Sequence, residues 1–379
     1  MTDDQALEEF RSSLVEWLAA NLTPDVLEAQ RASSEGGDRL DLLRSWNARL
    51  ADAGWAAVSW PARYGGRDAD VGQQLAYHEE MSRAGAPGPV NTIGVSNIAP
   101  AIMSLGTEEQ KERFLRPMLR GDEIWCQGMS EPDAGSDLAS LRTAARREGD
   151  TFVVSGQKTW NSLGNHADWC QLYVRTDPDA PKHKGISCLL VDMASPGLEV
   201  RPLRTMSGDF AFSELFFDEV AVPVTFLLGP LNEGWRVAMT TLSHERAGVA
   251  RLHLDLTARF ERLLDAARRR GPIRDAVHRD RLAGLYADIA CLRYATTREL
   301  AKIGRGGQPS VTMGGLAKLS WASASQELAE LAVSILGPEA LIGGSWTKTL
   351  LMSPACSIAG GTSDINRNVV AEHGLGLPR

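Results

Sequence analysis

Residues Trp125–Asp137, WCQGMSEPDAGSD, and Lys158–Leu163, KTWNSL, are the stretches around which the rest of this chain is read. The first gathers Gly128, Gly135, Ser130, Ser136, Glu131, Asp133 and Asp137 around Pro132. Glycine lets a backbone come close to a ligand, and serine offers a hydroxyl that both donates and accepts. Such a loop suits a flat ligand with a polar edge. The same composition also describes a surface turn capped by Asp and Ser, and the residues alone leave both readings open. Trp160, by its residue type and setting alone, reads as a sheet-core residue.

Outward from these stretches the period of the chain changes. Upstream, Leu7, Phe10, Leu14, Trp17 and Leu18 fall at helical spacing, and the pattern stops before Pro24. A second helical pattern runs from Leu40 to Ala53, SWPARYGG (Ser59–Gly66) interrupts it, and helical signals resume from about Val71. Thr107 followed by Gln110 forms a capping box that opens a helix with Phe114 and Leu115 on its apolar side. From Glu123 the runs shorten: TFVVSGQKTW, WCQLYVRTD, GISCLLVDM, LEVRPL and ELFFDEVAVP are bounded by Gly, Asp and Pro. Strands at this spacing predict an antiparallel barrel or sandwich, with Gly149-Asp150 as the hairpin connection into the first run. After Pro230 the pattern is helical again, as a long block ending at Gly271-Pro272, then about 275–304, 311–336 and 363–372. The expected class is α+β: an N-terminal helical domain over 1–122, a middle antiparallel β-barrel over 123–228, and a C-terminal four-helix bundle over 229–379.

Composition narrows the function classes. A net charge of −8 argues against a nucleic-acid surface, which needs clustered Lys and Arg; Arg268-Arg269-Arg270 reads as a solvated helix end. Cys126, Cys170, Cys188, Cys291 and Cys356 include no C-x-x-C pair, which argues against a zinc knuckle or a disulfide framework and favours a reducing cytoplasm. The acidic start, MTDDQALEEF, lacks the basic and apolar regions of a secretory signal, and no run of about 18 apolar residues is long enough to span a membrane. No G-x-G-x-x-G follows a strand and no P-loop occurs, which argues against Rossmann oxidoreductases and P-loop NTPases.

SEPDAGSD followed by GQKTWNS resembles the flavin-contacting segments of the acyl-CoA dehydrogenase family, and the resemblance extends over nearly the whole chain. It implies the helix–barrel–helix architecture, an FAD cofactor, an acyl-CoA substrate, an electron-transfer flavoprotein as acceptor, and an oligomer built on the C-terminal bundle. It places Gln127, Met129, Ser130, Ser136, Trp160 and Ser162 against the flavin, with Trp160 as an aromatic wall and the Ser130 and Ser162 hydroxyls at the ring's polar edge. It also implies a base and an oxyanion hole for the thioester carbonyl.

The common family pattern carries that base as a Glu before Gly-Thr, but here the segment is Ala359-Gly360-Gly361-Thr362 and the Glu position is Gly360. Some members place it instead on the first long helix of the C-terminal domain, where this chain has SHERAG, so Glu245 is the expected base. Ser136, Arg246 and the Gly360 backbone are the expected substrate contacts. Other positions depart from the family. Ala266–His278 lacks the usual Phe and Gln, Ser334 stands where Gln is frequent, and Asp364 replaces a Gln. The adenosine half of FAD then falls to Gly337, Thr362 and Asp364, or to a non-identical partner in a heterotetramer. The pattern also resembles a bacterial subgroup that degrades steroids and other bulky acids. Alternatives are a base-less subunit of a heteromeric dehydrogenase, a carrier-protein thioester dehydrogenase, and other flavin chemistry such as monooxygenation.

Overall fold

A computed structural model describes residues 3–31, 37–247, 252–307 and 310–378, with side chains except at 3–4, 31, 37–38 and 243–247. The N-terminal part contains α1 (Asp3–Asn21), α2 (Pro24–Arg31), α3 (Gly37–Asp52), α4 (Val71–Ala84), a π turn at Gly94–Ile98, α5 (Ala99–Leu105) and α6 (Glu108–Arg120). Pro24 stops α1 and also starts α2, because its missing N–H and fixed φ suit a first helical position. The Thr107–Gln110 capping box forms, with Gln110 N–H donating to Thr107 Oγ1 at 3.2 Å. Asp70 and Gln73 make a second box at the start of α4.

The middle part contains β1 (Trp125–Gly128), β2 (Ala144–Glu148), β3 (Thr151–Ser162), β4 (Trp169–Arg175), β5 (Ile186–Asp192), β6 (Leu198–Leu203), β7 (Phe212–Pro223) and β8 (Leu227–Leu228). Their order is β6-β7-β3-β2-β4-β5-β8, with β1 beside β4. Most pairings are antiparallel, as expected. The β1–β4 and β2–β4 pairings are parallel, because β1 and β4 are joined by a long excursion through β2 and β3 rather than by a hairpin. Gly149-Asp150 makes the β2–β3 hairpin, with Glu148 opposite Thr151.

β4 and β5 are buried on both faces, which explains their near-continuous apolar sequence. Alternate residues feed two cores. Trp169, Tyr173, Ile186, Cys188 and Leu190 join the core of the N-terminal helices. Leu172, Val174, Leu189 and Val191 join Phe152, Val154, Leu215 and Val222 in the sheet's own core. Trp125 on β1 lies in the helical core, 5.2 Å from Phe114 and 5.7 Å from Trp169 between ring centroids. The aromatic cluster thereby joins the first two parts of the chain.

The C-terminal part contains α7 (Gly234–Ala247), α8 (Leu252–Arg269), α9 (Ala276–Gly304), α10 (Val311–Leu336), α11 (Ser345–Met352) and α12 (Ser363–Val369). Leu256, Phe260 and Leu263 of α8, Leu285, Ile289 and Leu292 of α9, and Leu328 and Leu331 of α10 form its core. Among the described residues, no helix is long and apolar enough to cross a membrane.

Trp125→Ala should lower the unfolding free energy by about 3–5 kcal/mol, the range for truncating a buried aromatic. Denaturant melting is the measurement, and a loss below about 1 kcal/mol would show that the cluster does not join the two parts.

Candidate active site

The two stretches that organise the sequence are laced together by backbone carbonyls. Asn161 Nδ2 donates to Gln127 O at 2.6 Å, Lys158 Nζ to Met129 O at 3.1 Å, and Thr159 N to Ser130 O at 2.9 Å. One strand thus satisfies three carbonyls of the QGMS segment, and the Gln127, Met129 and Ser130 side chains are left half-buried. Gly128 has a different role from the one its composition suggested. A Cβ there would lie 2.6 Å from Leu172 Cδ1 and 3.1 Å from Cys170 Sγ, so the chain's own packing of β1 on β4 requires glycine. A Cβ at Gly135 would meet nothing within 4 Å. The EPDA turn closes on itself, with reciprocal backbone hydrogen bonds between Glu131 and Ala134 at 2.9 and 3.1 Å.

Beneath this turn lies an ion pair. Lys158 is fully buried and its Nζ donates to Glu131 Oε1 at 2.8 Å. The Glu131 carboxylate also accepts from the backbone N–H groups of Arg142 (2.6 Å) and Thr143 (2.8 Å). Burial pushes the Lys158 ammonium down from 10.5 to about 8, with Glu131 opposing the shift. Burial pushes Glu131 up, but Lys158 and the Thr143 and Arg142 hydrogen bonds outweigh it, and the carboxyl ends below its ordinary value. The carboxylate is therefore satisfied on three sides, which a buried charge requires.

Trp160 is raised out of the sheet by a bulge. On β3, Lys158 pairs with Leu215 and Asn161 with Ser213, so β3 carries one more residue than β7 across this interval. Lys158 and Asn161 therefore both point inward. Between them Trp160 takes φ +61° and is 61% exposed, its ring edge-on to Phe212 at 5.8 Å. A large side chain at positive φ is strained by about 1–3 kcal/mol and persists only where its surroundings fix it. The core-residue reading of Trp160 is thereby excluded. Ser162, two residues on, is half-buried and ends β3.

Ser136 is exposed and precedes Asp137, which binds Ser140 and Lys182. Glu245 and Arg246 lie on the α7 backbone, and their side chains fall outside those described. Gly360 has φ +65° and is exposed. Gly337 has φ +64° at the end of α10. Thr362 caps α12 by accepting from Ile365 N at 3.2 Å, and Asp364 pairs with Arg367 at 2.7 Å. Among the described residues, no hydrogen bond or ion pair joins Gly337, Thr362 or Asp364 to β1 or β3. Ser334, at the position where the family often carries Gln, is 2.8 Å from His278 Nε2.

The chain thus runs helices, a mixed sheet and helices again, with a strained, exposed tryptophan on the strand that anchors a Ser/Gly loop. Three family models match in order: the acyl-CoA dehydrogenase N-terminal domain over 4–122, middle domain over 126–220 and C-terminal domain over 232–375. The acyl-CoA dehydrogenase IpdE1 of Mycobacterium tuberculosis is 37% identical over 386 residues, covering 99% of each chain. Among solved structures, a steroid acyl-CoA dehydrogenase, Tcur3481-Tcur3483, is 32% identical with TM-score 0.86 over 99% of this chain and 98% of that one. The ChsE4-ChsE5 complex from Mycobacterium tuberculosis is 31% identical with TM-score 0.85, covering 100% and 99%. The chain belongs to the acyl-CoA dehydrogenase family, an FAD-dependent group of oxidoreductases. The ring end of the cofactor fits the residues present: an exposed indole, half-buried hydroxyls and an amide, with the loop's carbonyls already turned inward.

Nothing in the sequence alone assigns Lys158 and Asn161 these anchoring roles. The only hint was a lysine and an asparagine inside an apolar strand pattern.

Glu131→Gln leaves the ammonium buried without its counter-charge and should cost about 3–5 kcal/mol, whereas Glu131→Gln with Lys158→Met should cost less than half of that. Equal losses in the single and double variants, read by urea unfolding, would show that the pair does not act as a unit. The pH dependence has a definite sign. Glu131 binds its proton less readily when folded, so its contribution is lost as pH falls below the ordinary 4.5. Lys158 also holds its proton less readily when folded, so between about 8 and 10.5 the unfolded chain binds more protons and stability rises with pH. Subtracting the double variant's stability curve from that of the unsubstituted protein should show both slopes.

Proposed function

We propose that this chain removes two hydrogens from an acyl-CoA thioester to give the trans-2-enoyl-CoA, with Glu245 as the general base. The observation that carries this reading is that the carboxylate moves from one position to another. Gly360, at the family's usual base position, has no side chain to accept a proton. On α7, the buried positions Val237, Ala238 and Thr241 mark the inward stripe, and residue 245 falls one turn further along it.

The division of labour follows from the residues. The Gly360 backbone N–H remains available to polarise the thioester carbonyl, which acidifies the α-carbon. Glu245 takes the α-proton, Arg246 and Ser136 hold the substrate, and Gln127, Met129, Ser130, Ser136, Trp160 and Ser162 form the ring wall. FAD supplies the two-electron acceptor for the β-hydrogen. Gly337, Thr362 and Asp364 serve the adenosine half of the cofactor, within a homo-oligomer or with a related subunit. Domains over 1–122, 123–228 and 229–379 and an electron-transfer flavoprotein as acceptor complete the reading.

One relative favours a bulky substrate: a solved neighbour is a steroid acyl-CoA dehydrogenase, and on this reading the small, exposed Ala359-Gly360-Gly361 stretch leaves room near the α-carbon. We take a ring-bearing or branched acyl group as the substrate class, in lipid or steroid catabolism. The ChsE4-ChsE5 neighbour, a complex of two proteins, favours assembly with a non-identical subunit, which fits the missing Phe and Gln between Ala266 and His278.

The second reading is a base-less subunit, which Gly360 by itself would favour. Glu245→Gln decides between them. In the FAD-loaded protein, or in its complex with a partner subunit, anaerobic flavin bleaching by acyl-CoA should slow by about 10²–10⁴-fold, the usual worth of a positioned base. Bleaching at an unchanged rate would remove Glu245 from catalysis.

A further inference from the structure

The Gln127 side chain is the half-buried member of a polar chain that crosses three parts of the fold. Asn97 Nδ2, on the π turn before α5, lies 3.5 Å from Gln127 Oε1. Gln127 Nε2 donates to Gln171 Oε1 at 3.1 Å, and Gln171 Nε2 donates to Thr241 Oγ1 at 3.3 Å. The Thr241 hydroxyl lies 3.3 Å from Tyr173 Oη. Gln171, Tyr173 and Thr241 are each fully buried, Asn97 is 8% exposed, and only Gln127 is half-buried.

The chain is directional. Each amide gives an N–H to the next oxygen, so turning any one over would set donor against donor or acceptor against acceptor. With Thr241 Oγ1 accepting from Gln171, its hydroxyl proton is free for Tyr173. The links join β1, which carries the ring-facing loop, to β4 and then to α7, four residues before position 245. Buried polar chains of this kind cost more than an apolar core unless every member is satisfied, and a fully satisfied one specifies a single arrangement.

We propose that Gln171, Thr241 and Tyr173, with Asn97, are positioning residues that fix the Gln127 amide toward the flavin and set the register of α7 against that loop. The inference rests on the reading of Gln127 as a cofactor contact and Glu245 as base. The relay keeps one Gln127 amide face committed inward and leaves its remaining N–H and lone pair for the ligand side. It also ties the base-bearing helix to the ring wall by hydrogen bonds rather than by packing alone. Misplacement by about 1 Å at such a site costs about 10²-fold in rate, so a lost link should be visible in the chemical step.

Two substitutions at one position separate hydrogen bonding from packing. Thr241→Val keeps the shape and removes the hydroxyl, whereas Thr241→Ser keeps the hydroxyl and removes a methyl group. In the FAD-loaded protein or its complex, the valine variant should slow flavin reduction by acyl-CoA about 10-fold or more and shift the bound flavin's visible absorbance. The serine variant should stay within about twofold of the unsubstituted protein. The reverse order, valine normal and serine impaired, would assign Thr241 to packing and overturn the relay. Tyr173→Phe gives a second reading if the valine variant does not fold, with a smaller slowing expected and an unchanged rate and spectrum counting against the proposal. Glu245→Gln keeps the two ideas apart. If it leaves the rate intact while the valine–serine difference persists in rate and spectrum, the base assignment fails and the relay stands.

Discussion

The Lys158–Glu131 ion pair is the contact on which the candidate site depends. It joins residues on two segments, deep enough that Lys158 has no exposed surface. Such a pair is unfavourable unless each charge is fully met, because desolvation offsets the attraction. Here Glu131 is met by the ammonium and two backbone N–H groups, and the ammonium also reaches the Met129 carbonyl. The cost of burial is therefore tied to one geometry of the loop. A loop held this way presents its side chains in a fixed order, which a Ser/Gly-rich segment would not do unaided.

The bulge at Trp160 depends on the same anchor. With Lys158 and Asn161 both drawn inward, the extra residue between them must be expelled, and its backbone is driven to positive φ. A second irregularity, between Val154 and Gly156 on β3, sets one intervening β3 residue, Ser155, against two on β7, Asp218 and Glu219, so the extra residue lies on β7, where Glu219 has φ +52°. The two bulges carry extra residues on opposite strands. Leu215 and Phe217 before the β7 bulge, and Val220 and Val222 after it, all reach the sheet's core although their numbers change parity. The sheet absorbs the protrusion of Trp160 without losing its core.

The polar chain from Asn97 to Tyr173 makes the site a junction of the chain's parts. The π turn belongs to the N-terminal helices, β1 and β4 to the sheet, and α7 opens the C-terminal helices. An ordinary core would join these parts by apolar area alone, which tolerates sliding. Directed hydrogen bonds do not, and a hydrogen-transfer site needs that rigidity.

Much of this was legible in the sequence. The α9 and α10 boundaries follow from helical period and from Gly-Pro punctuation, the Thr107 box from its capping residues, and β4 and β5 from apolar runs long enough to be buried on both faces. These are local signals, set by residues a few positions apart. The SEPDAGSD and KTWNS segments mark the two stretches that the structure laces together, and the sequence shows that Gly360 leaves no carboxylate at the family's usual base position. Only the tertiary structure decided that Gly128 is small for the sake of Leu172, that Lys158 lies under Glu131, and that Gln171 and Thr241 continue the Gln127 amide into the interior. Each of these joins residues far apart in the chain, and their types are common in any sheet or helix. Their meaning comes from register and burial, which depend on how distant segments meet.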